Sequence, residues 1–340
     1  MKAIYLTQYG AADQAFEVRE TEAPGVSSTE VLIAVDAFGL NYADVIARNG
    51  MYKDAPDLPG ILGYECVGRV EEVGEEVKGL QVGQRVAAFT RFGAYAEKVK
   101  TDHRAVVAIP DDMPNGVAVA LATQYCTAWY SAMEVMNLYP GNQVLIHAAA
   151  GGVGTALVQI CKWKGCTIFG TAGSPEKLTY LKDLGVDYPI NYRKSNFVKE
   201  VLKITKKPVL DAVFDPIGGK VFKRSTKLLG HGGKAVIFGA SSREKKGMMA
   251  VLKLVFGYGF HTPIALLMKS QSWLGVNMLR VADYKPELIQ KGMLEVLQMY
   301  KEGIAKPHVG GVFKASEIAS AHHLLESRNS MGKIVVEWEK

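Results

Sequence analysis

The sequence predicts an α/β protein, a doubly wound parallel sheet joined to a β-rich domain, and three observations carry that prediction. Residues 143–159 read as a buried strand (Val144 to His147), a turn almost without side chains, and a helix whose apolar stripe is Val153, Leu157, Val158 and Cys161. From there to about residue 278, strand-like and helix-like runs alternate, which forces parallel pairing with right-handed crossovers. Residues 1–110 are instead short β-prone runs punctuated by Gly, Pro and Asp turns. At 340 residues the chain exceeds one comfortable core, so two domains are expected.

Taken in order, strands are predicted at 2–6, 16–22, 30–38, 66–73, 85–89, 94–99 and 105–109, with one helix over 41–49 closed by Gly50. Residues 111–136 read as two helices, with Pro114 near the start of the first and 122–129 leading into the second. The alternating region places strands at 143–147, 167–171, 188–190, 210–214, 234–238 and 272–276. Within it, 244–270 is apolar, aromatic and broken by glycines, and reads as a cap over a cleft or a dimer contact. A long helix to Tyr300, a segment over 303–313, a helix over 316–326 and a strand over 332–337 follow. That last strand cannot extend a finished parallel sheet without a crossover, so the tail is expected to rejoin the first domain. A ligand is expected in the cleft between domains.

Composition excludes several classes. Hydrophobic residues make up 48% and charged residues 22%, which describes an ordered globular chain. The formal charge of +6 comes from 40 basic and 34 acidic residues spread along the whole length, without the concentrated basic stripe that nucleic acid requires. Cys66, Cys126, Cys161 and Cys166 show no paired framework and no signal segment opens the chain, so a cytoplasmic protein is expected. Residues 248–268 are interrupted by Lys253, Gly257, Gly259, His261 and Pro263 and do not qualify as a membrane span, although peripheral membrane contact stays open.

The turn after the first strand of the alternating region carries the chemistry. Ala149-x-Gly151-x-x-Gly154 is a dinucleotide fingerprint with alanine in first place: Gly151 lets a pyrophosphate approach the backbone and Gly154 lets the helix lie close to the sheet. No carboxylate ends the second strand, where Gly170-Thr171-Ala172-Gly173-Ser174-Pro175-Glu176-Lys177 stands. Small residues followed by Ser174 and Lys177, with Tyr192 and Arg193 after the next strand, suit a 2′-phosphate and favour NADPH over NADH. Three or four converging zinc ligands are not legible, since His103, His147 and His231 are isolated and His322-His323 are neighbours pointing apart. The expected chemistry is reduction of an already electrophilic acceptor.

Gly39-Leu40-Asn41-Tyr42-Ala43-Asp44-Val45, Gly63-Tyr64-Glu65-Cys66-Val67-Gly68, Val82-Gly83-Gln84-Arg85-Val86, the 147–159 block, Asp215-Pro216-Ile217-Gly218-Gly219 and Met331-Gly332-Lys333 resemble, in order, the medium-chain dehydrogenase/reductases. Within them the chain is similar to the zinc-independent quinone oxidoreductase (zeta-crystallin-like) branch, and in 244–271 and Lys306-Pro307-His308 to the vesicle amine transport protein homologues. Zinc-dependent members carry a cysteine at or near the position of Asn41, a histidine where Tyr64 precedes Glu65, and a four-cysteine lobe near 91–102, all missing here.

The resemblance implies a GroES-like catalytic domain over 1–123, a Rossmann NADPH-binding domain over 124–278 and a return to the catalytic domain over 279–340. It implies Asn41 near the nicotinamide, Thr127 beside it and Tyr52 lining the acceptor pocket. The cofactor set is Ala150, Gly151, Gly152, Val153, Gly154, Gly173 and Ser174, with Lys177 and Tyr192 at the 2′-phosphate and Phe238, Gly239 and Asn277 along the nicotinamide half. Asn41 and Asp44 equally suit capping of their helix, Tyr52 a rim aromatic and Phe238 a core position. The expected activity is NADPH-dependent, zinc-independent reduction of a quinone or conjugated carbonyl by a homodimer. The alternatives are an enone or enoyl-thioester reductase, and an NADPH-binding protein that docks on membranes or partners.

Overall fold

Short β-prone runs and glycine turns become strands from the first residues onward. The computed structural model describes residues 1–242, 248–259 and 262–339. The chain opens with β1 (Lys2–Leu6), α1 (Ala12–Ala15), β2 (Phe16–Glu20), β3 (Glu30–Leu40), α2 (Tyr42–Arg48) and β4 (Gly60–Ile61). It continues through β5 (Glu65–Val73), β6 (Arg85–Phe89), β7 (Lys98–Asp102) and β8 (Val106–Ala108) to α3 (Asn115–Ala120), a π-helical turn (Leu121–Tyr125), α4 (Cys126–Trp129) and a second π-helical turn (Tyr130–Glu134).

The alternating region follows as β9 (Gln143–Ile146), α5 (Gly152–Trp163), β10 (Thr167–Ala172), α6 (Pro175–Leu184), β11 (Tyr188–Asn191), α7 (Phe197–Thr205) and β12 (Leu210–Asp215). Then come α8 (Gly219–Ser225), β13 (Leu229–Ile237), α9 (Met248–Tyr258), α10 (Pro263–Lys269) and β14 (Ser272–Gly275). The tail is α11 (Met278–Tyr284), α12 (Pro286–Lys301), β15 (Val309–Lys314), α13 (Ile318–Glu326) and β16 (Lys333–Glu337).

Two compact units result: unit 1 is Met1–Cys126 with Met278–Lys340, and unit 2 is Thr127–Asn277. In unit 1 a seven-stranded sheet runs β15-β16-β3-β5-β6-β8, with β7 also on β3, beside a three-stranded sheet β2-β1-β4. The eleven-residue β3 is long enough to take β7 along its first half and β16 along its last, antiparallel to both. The returning tail therefore completes the first unit's sheet.

Unit 2 is one six-stranded parallel sheet in the order β11-β10-β9-β12-β13-β14. From β9 the chain winds outward through β10 and β11, then returns past β9 to wind the other way, which puts the topological switch between β9 and β12. Leu145, Phe169, Val213, Phe222 and Ala235 are fully buried in its core. Emptying one such aromatic position, as in Phe222→Ala, costs about 3–5 kcal/mol. Local signals agree with the packing. Ser174 caps α6, Pro175 begins it and Gly185, at φ 92°, ends it in the left-handed conformation that a Cβ resists.

Some expectations need correction. Residues 111–136 are not two helices: 115–134 is helical throughout, alternately α and π, because no residue there breaks the ladder. The strand read over 94–99 lies at Lys98–Asp102; Ala94, Tyr95 and Ala96 are buried, but Tyr95 bonds by its backbone to Ile4 and Leu62 instead of entering a ladder. β13 begins at Leu229, earlier than the predicted 234, with a register irregularity across its glycines. The short α1 and β4 have too little pattern to be seen in sequence.

Candidate functional site

At the carboxyl edge of unit 2 the turn after β9 is stretched tight. Ala148 adopts φ 49°, a left-handed conformation uncommon for alanine, and its carbonyl accepts from Gly151 N at 2.9 Å. Gly151 is the N-cap of α5 and brings no side chain to the first helical N–H groups. Those groups have no intrahelical partner and stand at the positive end of the helix dipole. At Gly154 a Cβ would overlap the Ala148 carbonyl oxygen and come within 2.7 Å of Ala149 Cα, so only glycine lets α5 lie this close. A Cβ at Gly151 would meet the Ala148 carbonyl at 3.3 Å, a milder restriction. Ala150 is buried, while Gly152 and Val153 are half-buried at the first turn.

Since every strand of this sheet is parallel, the segments after β10, β11, β12, β13 and β14 share that edge. After β10, Ser174 Oγ accepts from Lys177 N (3.4 Å), and Lys177 is half-buried. A Cβ on Gly173 would stand 2.8 Å from the Tyr192 hydroxyl and 3.2 Å from Arg193 Nε, so both groups crowd that glycine. Burial, then the charge of Arg193, pushes the Lys177 ammonium pKa down. Glu176 turns to Ser174, whose hydrogen bond lowers its pKa. Gly239 packs against the Pro216 carbonyl, Phe238 is half-buried at the end of β13, and Asn277 is exposed after β14. The Asp215 carboxylate accepts from Ile217 N (2.6 Å) and Gly218 N (3.1 Å), shaping the turn on which Tyr258 of α9 rests. Thr127 is buried in α4.

In unit 1 the predicted Asn41, itself half-buried, sits against a fully buried ion pair, Glu65 and Lys333. Lys333 Nζ forms an ion pair with Glu65 Oε1 and donates to Leu40 O and Asn41 Oδ1, both at 3.2 Å. Asn41 Nδ2 donates to Glu65 Oε1 (2.7 Å), and Thr123 N, in the π-helical turn, donates to Glu65 Oε2 (3.0 Å). Gly39 makes the room, since a Cβ there would overlap Lys333 Cε and Glu65 Oε1. Asn41 N also donates to Asp44 Oδ2 at 2.7 Å. Burial, with the Glu65 charge adding to it, lifts the Asp44 carboxyl to about 8.

Tyr52 lies beside this cluster in an aromatic group. Its ring stands edge-on to Tyr64 and Phe92, with centroids 6.4 and 6.5 Å away. Burial and then Asp54 raise its phenol pKa, so it keeps its proton at neutral pH. Asp54 is itself paired with Arg280, and Arg280 with Asp283 at 3.5 Å.

Sequence reasoning named Asn41 and Tyr52 but missed the Glu65–Lys333 pair. Its only sequence trace is a pair of residues inside matched motifs, because the two are 268 positions apart and meet only through β3, where Phe38 faces Cys66 and Leu40 faces Ile334. Three of the histidines are held locally: His147 bridges Thr171 (3.0 Å) and Ser225 (2.7 Å), His322 meets the Tyr95 hydroxyl (3.2 Å) and His323 meets Asp13 (2.9 Å). Among the described residues no group of three His, Cys, Asp or Glu side chains gathers as a metal site.

Comparison with known proteins accords with these two units. The alcohol dehydrogenase GroES-like domain family matches residues 27–111, and the zinc-binding dehydrogenase family matches residues 152–292. The synaptic vesicle membrane protein VAT-1 homolog of Danio rerio is 36% identical over 99% of this chain and 70% of its own length. The chain belongs to the medium-chain dehydrogenase/reductase superfamily. Among solved members, the Escherichia coli quinone oxidoreductase complexed with NADPH is 26% identical with a TM-score of 0.86, covering 99% of this chain and 100% of that one. The CurK enoyl reductase is 29% identical with a TM-score of 0.86, covering 99% of each chain. As in those dehydrogenase/reductases, a GroES-like unit here accompanies a nucleotide-type parallel sheet.

Proposed function

We propose that this dehydrogenase/reductase is an NADPH:quinone oxidoreductase, acting on a quinone or related conjugated carbonyl. The observation that carries the reading is the cradle in unit 2, where Gly154 leaves no space for a Cβ and Lys177, Tyr192 and Arg193 surround the end of β10. The first N–H groups of α5, over Ala150, Gly151, Gly152, Val153 and Gly154, hold the pyrophosphate. Gly173 and Ser174 admit the adenine ribose, and Lys177, Tyr192 and Arg193 bind its 2′-phosphate by charge-assisted hydrogen bonds. Phe238, Gly239, Asn277 and Thr127 serve the nicotinamide half. When bound, NADPH supplies the hydride.

Unit 1 supplies groups for the acceptor. Tyr52, protonated by virtue of its burial, donates a hydrogen bond to the acceptor oxygen as charge develops there. Asn41 has its carbonyl and one amide hydrogen committed to Lys333 and Glu65, which leaves the second Nδ2 hydrogen for a ligand. The buried pair thereby fixes the rotamer of Asn41. A quinone spreads charge over a conjugated system, so these donors suffice without a strong general acid.

Titration of the purified protein with NADPH and NADH, followed by stopped-flow oxidation of bound NADPH by a panel of quinones and enones, tests the reading. Tighter NADPH binding and rapid quinone-dependent oxidation are expected; preference for NADH would overturn the cofactor assignment, and oxidation by no acceptor would overturn the enzyme. Reduction of an enone or enoyl-thioester double bond is the second reading, favoured by the likeness to the CurK enoyl reductase and by a Tyr52 that is protonated at neutral pH. Loss of enone but not quinone turnover in Tyr52→Phe would select it. Peripheral docking draws on Met249, Phe256, Ile264, Leu267 and Met268, each at least 70% exposed on α9 and α10. Liposome flotation of the whole protein separates that role, for a protein confined to the aqueous fraction does not dock. No helix among the described residues is long and apolar enough to cross a membrane.

A further inference from the structure

At the end of α5 opposite the glycine turn, the chain closes the helix with a motif built on two thiols. Gly165, at φ 72°, donates to Lys162 O (2.9 Å), and Cys166 N donates to Cys161 O (3.0 Å), the paired bonds of a Schellman cap. In that motif the side chains at the two closing positions touch, and an apolar pair is usual. Here the pair is Cys161, fully buried, and Cys166, 9% exposed. Standard bond lengths across the Cys161 O to Cys166 N bond hold the two Cα atoms within about 6.9 Å, inside the limit of about 7 Å beyond which cysteines cannot be bridged. The Cys166 thiol donates to Tyr139 O at 3.8 Å. Cys66 and Cys126 lie in unit 1, so neither belongs to this cap.

We propose that Cys161 and Cys166 form a modification site, a dithiol that a peroxide oxidises to an intramolecular disulfide. The Cys166 thiolate attacks one peroxide oxygen, the O–O bond breaks and hydroxide leaves, giving a sulfenic acid at Cys166. The Cys161 sulfur then attacks the Cys166 sulfur, its proton and the hydroxyl leave as water, and the S–S bond forms. In total two thiols are oxidised by two electrons and one hydrogen peroxide is reduced to two waters. The order of attack follows from access: Cys166 is the less buried of the two, whereas Cys161 is fully enclosed. The cross-link ties the last turn of α5 to the residue that leads into β10, the two elements whose other ends form the proposed phosphate cradle.

The full-length protein, treated with hydrogen peroxide, alkylated under denaturing conditions and digested with trypsin without reductant, gives the test. Trypsin cuts after Lys162 and Lys164, so the disulfide is read as the peptide ending Cys161-Lys162 joined to the peptide opening Gly165-Cys166, with the loss of two hydrogens. That species is expected in the wild type and in Cys126→Ser, reversed by dithiothreitol, and missing from Cys161→Ser and Cys166→Ser. In Cys161→Ser the sulfenic acid at Cys166 is expected to persist and to be trapped by dimedone. Alkylation of both thiols after peroxide, or Cys166 passing to the sulfinic acid with no linked peptide, overturns the proposal. None of these readouts depends on NADPH or an acceptor.

Discussion

Asp44→Asn isolates a proton that the fold holds against its chemistry. The Asp44 carboxyl is completely enclosed, and burial lifts it from 3.8 to about 8 in the folded protein. Between those values the folded state binds a proton that the unfolded chain has released, so the Asp44 contribution to stability is fully present below about pH 4 and is lost as pH rises toward 8. Within that window each pH step of one is worth about 1.4 kcal/mol, which makes the loss between pH 5 and pH 8 about 3–4 kcal/mol. In urea that is a fall of about 1–2 M in the unfolding midpoint. Asparagine reproduces the shape of the neutral acid, and its carbonyl can still accept from Asn41 N, so the variant should lack this dependence. His147 and His322, both held below their usual pKa by burial, work in the opposite direction and are common to both proteins. The difference between the two curves is therefore the Asp44 contribution alone. Urea titrations from pH 5 to pH 8, read through the fluorine resonance of labelled Trp338, report on unit 1, where that indole donates to Ala96 O (3.0 Å). Parallel midpoints for Asp44→Asn and wild type across this range would refute a protonated Asp44.

Three further outcomes follow from the geometry. Lys333→Met strands Glu65 in the sheet and should cost about 3–5 kcal/mol in the same urea assay, with Lys333→Met/Glu65→Gln recovering much of it; a single-variant cost below about 1 kcal/mol would contradict a buried pair. Gly154→Val should push α5 off the Ala148 carbonyl and weaken NADPH at least about tenfold, or about 1.4 kcal/mol, by fluorescence titration; unchanged affinity would remove the turn from the cofactor site. Lys177→Ala should weaken NADPH by about tenfold while leaving NADH within about twofold, and an equal effect on both cofactors would dissociate Lys177 from the 2′-phosphate.

What the sequence by itself determined is local or periodic. The six strands of unit 2, the glycine turn into α5 and the small residues after β10 are each set by neighbours a few positions apart, so strand period, helix period and turn chemistry expose them. The long helical run over 115–134 escapes that reading because its π turns have no distinct sequence signal. Tertiary structure alone decided the charged cluster: Asn41, Glu65, Thr123 and Lys333 come together only because β3 lies between β5 and β16 and Gly39 leaves a gap at their crossing. A strand's pattern reports which face is buried, not which distant strand supplies its partner, and so neither the ion pair of Lys333 nor the proton on Asp44 is visible before the sheet is assembled.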